Sequence, residues 1–69
     1  MRAGNLKFFL EDKGFGFIQP EGGGPDIFLH ATVIRSSGFM PEHLRKNDKL
    51  KFEAGPGKKG EQATRIERA

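Results

Sequence analysis

Two short segments hold the residues best able to do chemistry. Lys13–Ile18 reads KGFGFI and Asp26–His30 reads DIFLH. Side chains alternate across an extended chain. Lys13, Phe15 and Phe17 therefore share one side of the first segment, opposite Gly14, Gly16 and Ile18. In the second, Asp26, Phe28 and His30 share a side, opposite Ile27 and Leu29. A lone Phe in a strand belongs in a core. Burying these three would carry Asp26 and Lys13 inward, at a cost of several kcal/mol for an unpaired charge. It would also leave Ile18, Ile27 and Leu29 in water. The lower-energy arrangement turns the aliphatic chains inward and sets Phe15, Phe17, Phe28 and His30 outward among charges. An exposed aromatic patch marks a binding surface. Every nucleobase offers a π-face, and stacking it on an aromatic side chain contributes roughly 1–3 kcal/mol per base. Lysines beside the rings hold phosphates and release counterions. Duplex bases are already stacked on one another, so the expected partner is single-stranded RNA or DNA.

Other chemistries find less support in the residues. His30 has no serine, cysteine or carboxylate in a recognisable triad motif around it. His43 lies far off in the chain, and two histidines without ligand spacing do not make a metal site. GFGFIQPEGGG is glycine-rich but fits neither phosphate-cradling pattern. No catalytic residue, metal, cofactor or small-molecule substrate is expected, and the protein reads as a non-enzyme. Lys46, Lys49 and Lys51 read as a solvated edge, whereas Lys58 and Lys59 sit in a glycine-rich loop able to approach a bound strand. The alternative function is a protein-interaction barrel docking an extended or proline-rich peptide on the same rings. Such grooves use Tyr and Trp, and the chain has neither. Salt titration separates the two readings. Nucleic-acid affinity falls with log salt by about 0.7 per phosphate neutralised, whereas peptide docking changes far less.

The elements that must position these residues are short strands. Ten glycines and four prolines among 69 residues argue against long helices. Strands are expected at Asn5–Leu10, Phe15–Gln19, Asp26–His30, Lys49–Ala54 and Gln62–Arg68, with one helical turn at Ala31–Arg35. Pro20–Pro25 and Gly55–Gly60 read as loops, and Ser36–Asp48 as a longer connection. In the fourth strand Leu50, Phe52 and Ala54 oppose Lys49, Lys51 and Glu53. In the fifth, Thr64 and Ile66 oppose Arg65 and Glu67. Five short strands in this length suggest an all-β, closed or nearly closed antiparallel barrel, because closure removes exposed edges.

Bulk properties agree. The length allows one domain over 1–69 with a modest core. The absence of cysteine suits a reducing compartment. No apolar run reaches membrane-spanning length and no leader opens the chain. A soluble, cytoplasmic monomer without membrane contact is expected. A net charge of +3 permits a polyanionic partner without demanding one.

KGFGFI followed closely by DIFLH resembles the paired ribonucleoprotein motifs of the cold-shock domain family, and GNLKFF at Gly4–Phe9 is similar to that family's first strand. The match runs without a gap from about Gly4 to Ile34 and is nearest to the free-standing bacterial cold-shock proteins. The resemblance implies a five-stranded OB-fold barrel, binding of single-stranded RNA and DNA, and RNA chaperone or antitermination roles. It places the binding surface on Lys7, Phe8, Lys13, Phe15, Phe17, Phe28, His30, Phe39 and Lys59. Phe8 stands where the family commonly has Trp, Ala31 where it has Phe, and Leu10 where it has Asn. The Phe39-to-Leu50 connection is slightly longer than the family's. Losing the plate at position 31 weakens binding by roughly 1–3 kcal/mol if nothing replaces it. Strict alternation groups Phe8 with Leu6 and Leu10, and Lys7 with Phe9. The family pattern wants Lys7 and Phe8 both near the ligand, which requires a bulge or sharp twist in the first strand. Phe9 is the half-buried alternative to Phe8.

Overall fold

The computed structural model describes residues 1–58 and 60–69. The strands are β1 (Arg2–Leu10), β2 (Phe15–Pro20), β3 (Ile27–His30), β4 (Lys49–Gly57) and β5 (Gly60–Arg68). They close into a barrel in the order β1-β2-β3-β5-β4. β1 serves two neighbours. Arg2–Asn5 pairs with β4, and the strand from Gly4 onward pairs with β2. Every pairing is antiparallel except the closing one, where β3 and β5 meet in parallel at Phe28 and Gln62. This corrects the expectation of an antiparallel barrel throughout. A ring of five strands cannot alternate direction all the way round, so four antiparallel pairings leave the fifth parallel.

The interior is mainly aliphatic, as the alternation requires. Leu6, Ile18, Ile27, Leu29, Ile34, Leu50 and Ile66 are at most 1% exposed, and Phe52 is the one ring sealed among them. No buried polar or charged residue occurs among the described residues. α1 (Ala31–Ser36) turns Ala31 and Ile34, three residues apart and so on one face, onto the barrel. A 3₁₀ turn at Pro41–His43 interrupts the long connection, and Leu44 after it is buried. Among the described residues no helix is long and apolar enough to cross a membrane.

The largest differences from the expected elements are at the start of β1, the end of β4 and the face assigned to Thr64. β1 begins at Arg2 because Arg2 and Ala3 find partners in Phe52 and Lys51, far along the chain. Gly55–Gly57 is strand rather than loop, because Gly55, Pro56 and Gly57 register against Gln62, Glu61 and Gly60. Thr64 does not share a face with Ile66. The β4–β5 ladder jumps between Glu53–Arg65 and Ala54–Ala63, which leaves Thr64 as the extra, exposed residue of a bulge. Ala63 is buried in its place.

Candidate nucleic-acid interface

The outer face of β1, β2 and β3 carries the rings. Phe8, Phe17 and Phe28 lie directly across from one another on the three strands, and Phe15 faces His30. Phe8 and Phe17 have centroids 5.5 Å apart, Phe17 and Phe28 5.7 Å, and Phe15 and Phe28 5.6 Å in a stacked pose. Phe15 and Phe17 meet edge-on at 6.2 Å, and the His30 ring lies 6.3 Å from Phe28. All four phenylalanines are half-buried, their edges propped on one another rather than sunk in the core. Offset and edge-to-face contacts of this kind hold a ring platform in place before any ligand arrives. Leu10, 36% exposed and opposite Phe15, extends it with an aliphatic surface.

Two backbone features build this face. The β1–β2 register shifts between Leu6 and Phe8, so Lys7 has no partner across the ladder. The bulge turns Lys7 and Phe8 both outward and lets Phe9 pack against the core. The conflict in the sequence pattern thus resolves as a bulge, with Phe8 in the ring cluster. Gly16 supplies the second feature. It lies opposite Phe9 and Leu29, and a Cβ there would collide with the Phe8 carbonyl oxygen and come within 2.8 Å of Phe9 Cα. Only glycine lets β1 approach β2 this closely beneath the rings.

The polar groups fall around the edge. Lys7 Nζ donates to Asp26 Oδ2 at 2.9 Å, so this cation is already paired. Lys13 is exposed in the β1–β2 turn, before Gly14 at φ 77°, rather than in a strand beside Phe15. His30 is the residue before α1. Its Nδ1 accepts from the Thr32 backbone N–H at 3.2 Å and lies 3.0 Å from Thr32 Oγ1. Accepting that bond takes a lone pair on Nδ1, which puts the ring's proton on Nε2. Phe39 is not brought to the platform. It packs against the barrel core, with the Arg68 guanidinium 5.8 Å from its ring centroid, and none of the ring–ring contacts among the described residues includes it. Lys59 lies outside the described residues. Asp26 as the partner of Lys7 was invisible in the sequence, because a contact 19 residues apart leaves no local pattern.

A family model described as the "'Cold-shock' DNA-binding domain" matches residues 2–69. The chain is 48% identical over 66 residues to a protein named probable cold shock protein A from Mycolicibacterium smegmatis, covering 96% of each. It is 43% identical over 67 residues to cold shock-like protein CspA from Bordetella pertussis, covering 97% of each. It is 41% identical over 66 residues to the major cold shock protein from Micrococcus luteus, covering 96% of each.

Proposed function

The chain belongs to the cold-shock domain family, whose domain binds nucleic acid and is not an enzyme, and from that footing we propose that it binds single-stranded RNA and DNA by stacking bases on Phe15, Phe17, Phe28 and His30. Phe8 extends the plate, and Lys7 and Lys13 draw in the phosphate backbone. The observation that carries this reading is the three-strand row Phe8–Phe17–Phe28, which stands on the outer face while the interior beneath is filled by aliphatic chains. A row of π-faces with no hydrogen-bonding atoms of its own accepts any base, so sequence preference on the platform is small. By occupying single strands the protein opposes hairpin formation without consuming ATP, which is the work of an RNA chaperone or antiterminator. In this proposal residues 1–69 act as one domain, as a monomer in the cytoplasm.

Calorimetry suits the test, since the chain has no Trp. A thymine- or uracil-rich heptamer should bind and a duplex of the same length should not. Phe15→Ala and Phe17→Ala should each keep the fold and weaken binding by roughly 1–3 kcal/mol. Equal binding by the variants would overturn the stacking role. Unfolding of both would mean that the rings hold the barrel together. Affinity that barely responds to salt would favour a peptide ligand on the same face.

A further inference from the structure

A cavity of about 320 Å³ opens beside the ring platform, between the β1–β2 turn, the start of α1 and the 3₁₀ turn. Its apolar surface is Phe9, Ala31 and Pro41. The Ala31 N–H donates to the Gly14 carbonyl at 2.9 Å, tying helix to turn across this end of the barrel. The small side chain of Ala31 leaves the space open. The volume sits at the lower end of the range for ligand pockets, about 300–1,000 Å³. It is large enough to hold a single nucleobase.

The cavity is continuous with the platform, because Lys13 and His30 line it too. His30 has Phe28 beside it, so a strand stacked on the rings passes the mouth of the cavity. The remaining wall is charged in both senses: Arg35 joins Lys13, and Glu11 and Glu42 complete the lining. Among the described residues, none of the four charged side chains Glu11, Lys13, Arg35 and Glu42 has an ion pair. The cations suit phosphate. Carboxylates facing a polyanion repel it, unless they accept hydrogen bonds from it. A carboxylate only accepts, so what it takes from a nucleic acid is a base N–H or, in RNA, a ribose 2′-OH; only the base N–H tells one base from another. The pyrimidine that offers one from an exocyclic amine is cytosine, through N4, a recognised partner of Glu and Asp. Uracil and thymine present the O4 carbonyl at that position, which a carboxylate repels, and offer only the ring N3–H between two carbonyls.

Resting on the single-strand reading above for where the strand lies, we propose that this cavity is a base-reading pocket that takes one cytosine from the bound strand, its amine accepted by Glu11 or Glu42 and its flanking phosphate held by Lys13 or Arg35. The platform then binds bases alike, and one position is selective.

The test is a set of heptathymidines, each with a single deoxycytidine at a different position, measured by calorimetry. One position should bind roughly tenfold more tightly than the all-thymidine strand. The doubly substituted E11Q/E42Q protein should bring that ratio close to one, and Ala31→Phe, which fills the cavity, should abolish it. Equal affinities at every position, or a preference that survives Ala31→Phe, would overturn the proposal. In parallel, cytidine monophosphate should shift the amide resonances of Gly14 and Ala31 at lower concentration than uridine monophosphate, and identical shifts would again overturn it. The platform reading stands or falls separately. Loss of all heptamer binding with those cytidine shifts retained would remove the platform and keep the pocket.

Discussion

Lys7 Nζ and Asp26 Oδ2 lie 2.9 Å apart, joining the bulge of β1 to the residue before β3 at the edge of the ring platform. The two side chains are 50% and 30% exposed. A pair this wet contributes at most about 1 kcal/mol to the fold. Its larger effect is on the ligand, because a phosphate must compete with Asp26 for the same ammonium. Asp26→Asn should therefore tighten oligonucleotide binding several-fold while shifting stability by less than about 1 kcal/mol. The slope of log affinity against log salt should steepen by up to about 0.7, the full value applying if Asp26 holds Lys7 from the phosphate in the parent protein. Unchanged affinity together with an unchanged slope would show that Lys7 does not meet the backbone.

Phe17 and Phe52 are both strand phenylalanines, yet they should fail differently when truncated. Phe52 is wholly buried in the aliphatic core. Phe52→Ala should cost about 3–5 kcal/mol, enough to unfold much of a small domain's population at room temperature. Phe17→Ala loses ring contacts with Phe8, Phe15 and Phe28, each contributing about 0.5–1.5 kcal/mol beyond area. Mutual propping means the loss is shared, and the variant should remain folded. Thermal unfolding followed by far-UV circular dichroism separates the cases. A Phe17→Ala midpoint as low as that of Phe52→Ala would return the outer rings to a structural role.

What the sequence conveyed and what it withheld follow from the range of the interactions. Ile18, Ile27 and Leu29 were legible as core because alternation is local and the opposite side of each segment carries a charge, Lys13 or Asp26, beside the phenylalanines. The irregularity at Lys7 was legible only as a conflict between strict alternation and the family pattern, which a bulge or a sharp twist would resolve; the register shows the bulge. Pairings distant in sequence were not. Arg2 reads as an ordinary terminal residue until Phe52 is beside it. Gly55–Pro56–Gly57 has loop composition, and only the register with Glu61 and Gln62 makes it strand. Thr64 misled because a bulge resets the period of two. Phe39 carries the right residue type for the platform, and the route of the long connection places it elsewhere. The cavity depends on residues from three separate segments, and no linear pattern links Glu11, Ala31 and Pro41.

Gly16 and Gly55 offer opposite outcomes for the same substitution. At Gly16 an added methyl meets the Phe8 carbonyl oxygen and the Phe9 backbone, neither of which can swing aside. Gly16→Ala should lower stability toward the upper end of about 1–3 kcal/mol. At Gly55 the methyl would find only Thr64 Cγ2 at 3.6 Å, an ordinary contact, with φ outside the left-handed region. Gly55→Ala should stabilise by about 0.4–1 kcal/mol by narrowing the unfolded ensemble. Urea midpoints at constant slope are the measurement. Destabilisation at Gly55 would mean that the β4 extension is more tightly held than its contacts imply.

His30 has two separable duties, and paired substitutions divide them. Its ring lies on the platform beside Phe28, and its Nδ1 caps α1 through the Thr32 N–H. His30→Ala removes both and should cost about 0.5–2 kcal/mol in stability through the lost cap. His30→Asn restores a side-chain acceptor of the kind preferred at helix starts, so stability should return to near the parent value. Asparagine has no aromatic plate, so affinity for a single strand should fall in both variants by roughly 1–3 kcal/mol. Denaturant unfolding and heptamer calorimetry on the same two proteins read the duties independently. If His30→Asn recovers affinity together with stability, the imidazole serves the ligand only by holding α1 in place, and the stacking duty at that position is lost from the proposal.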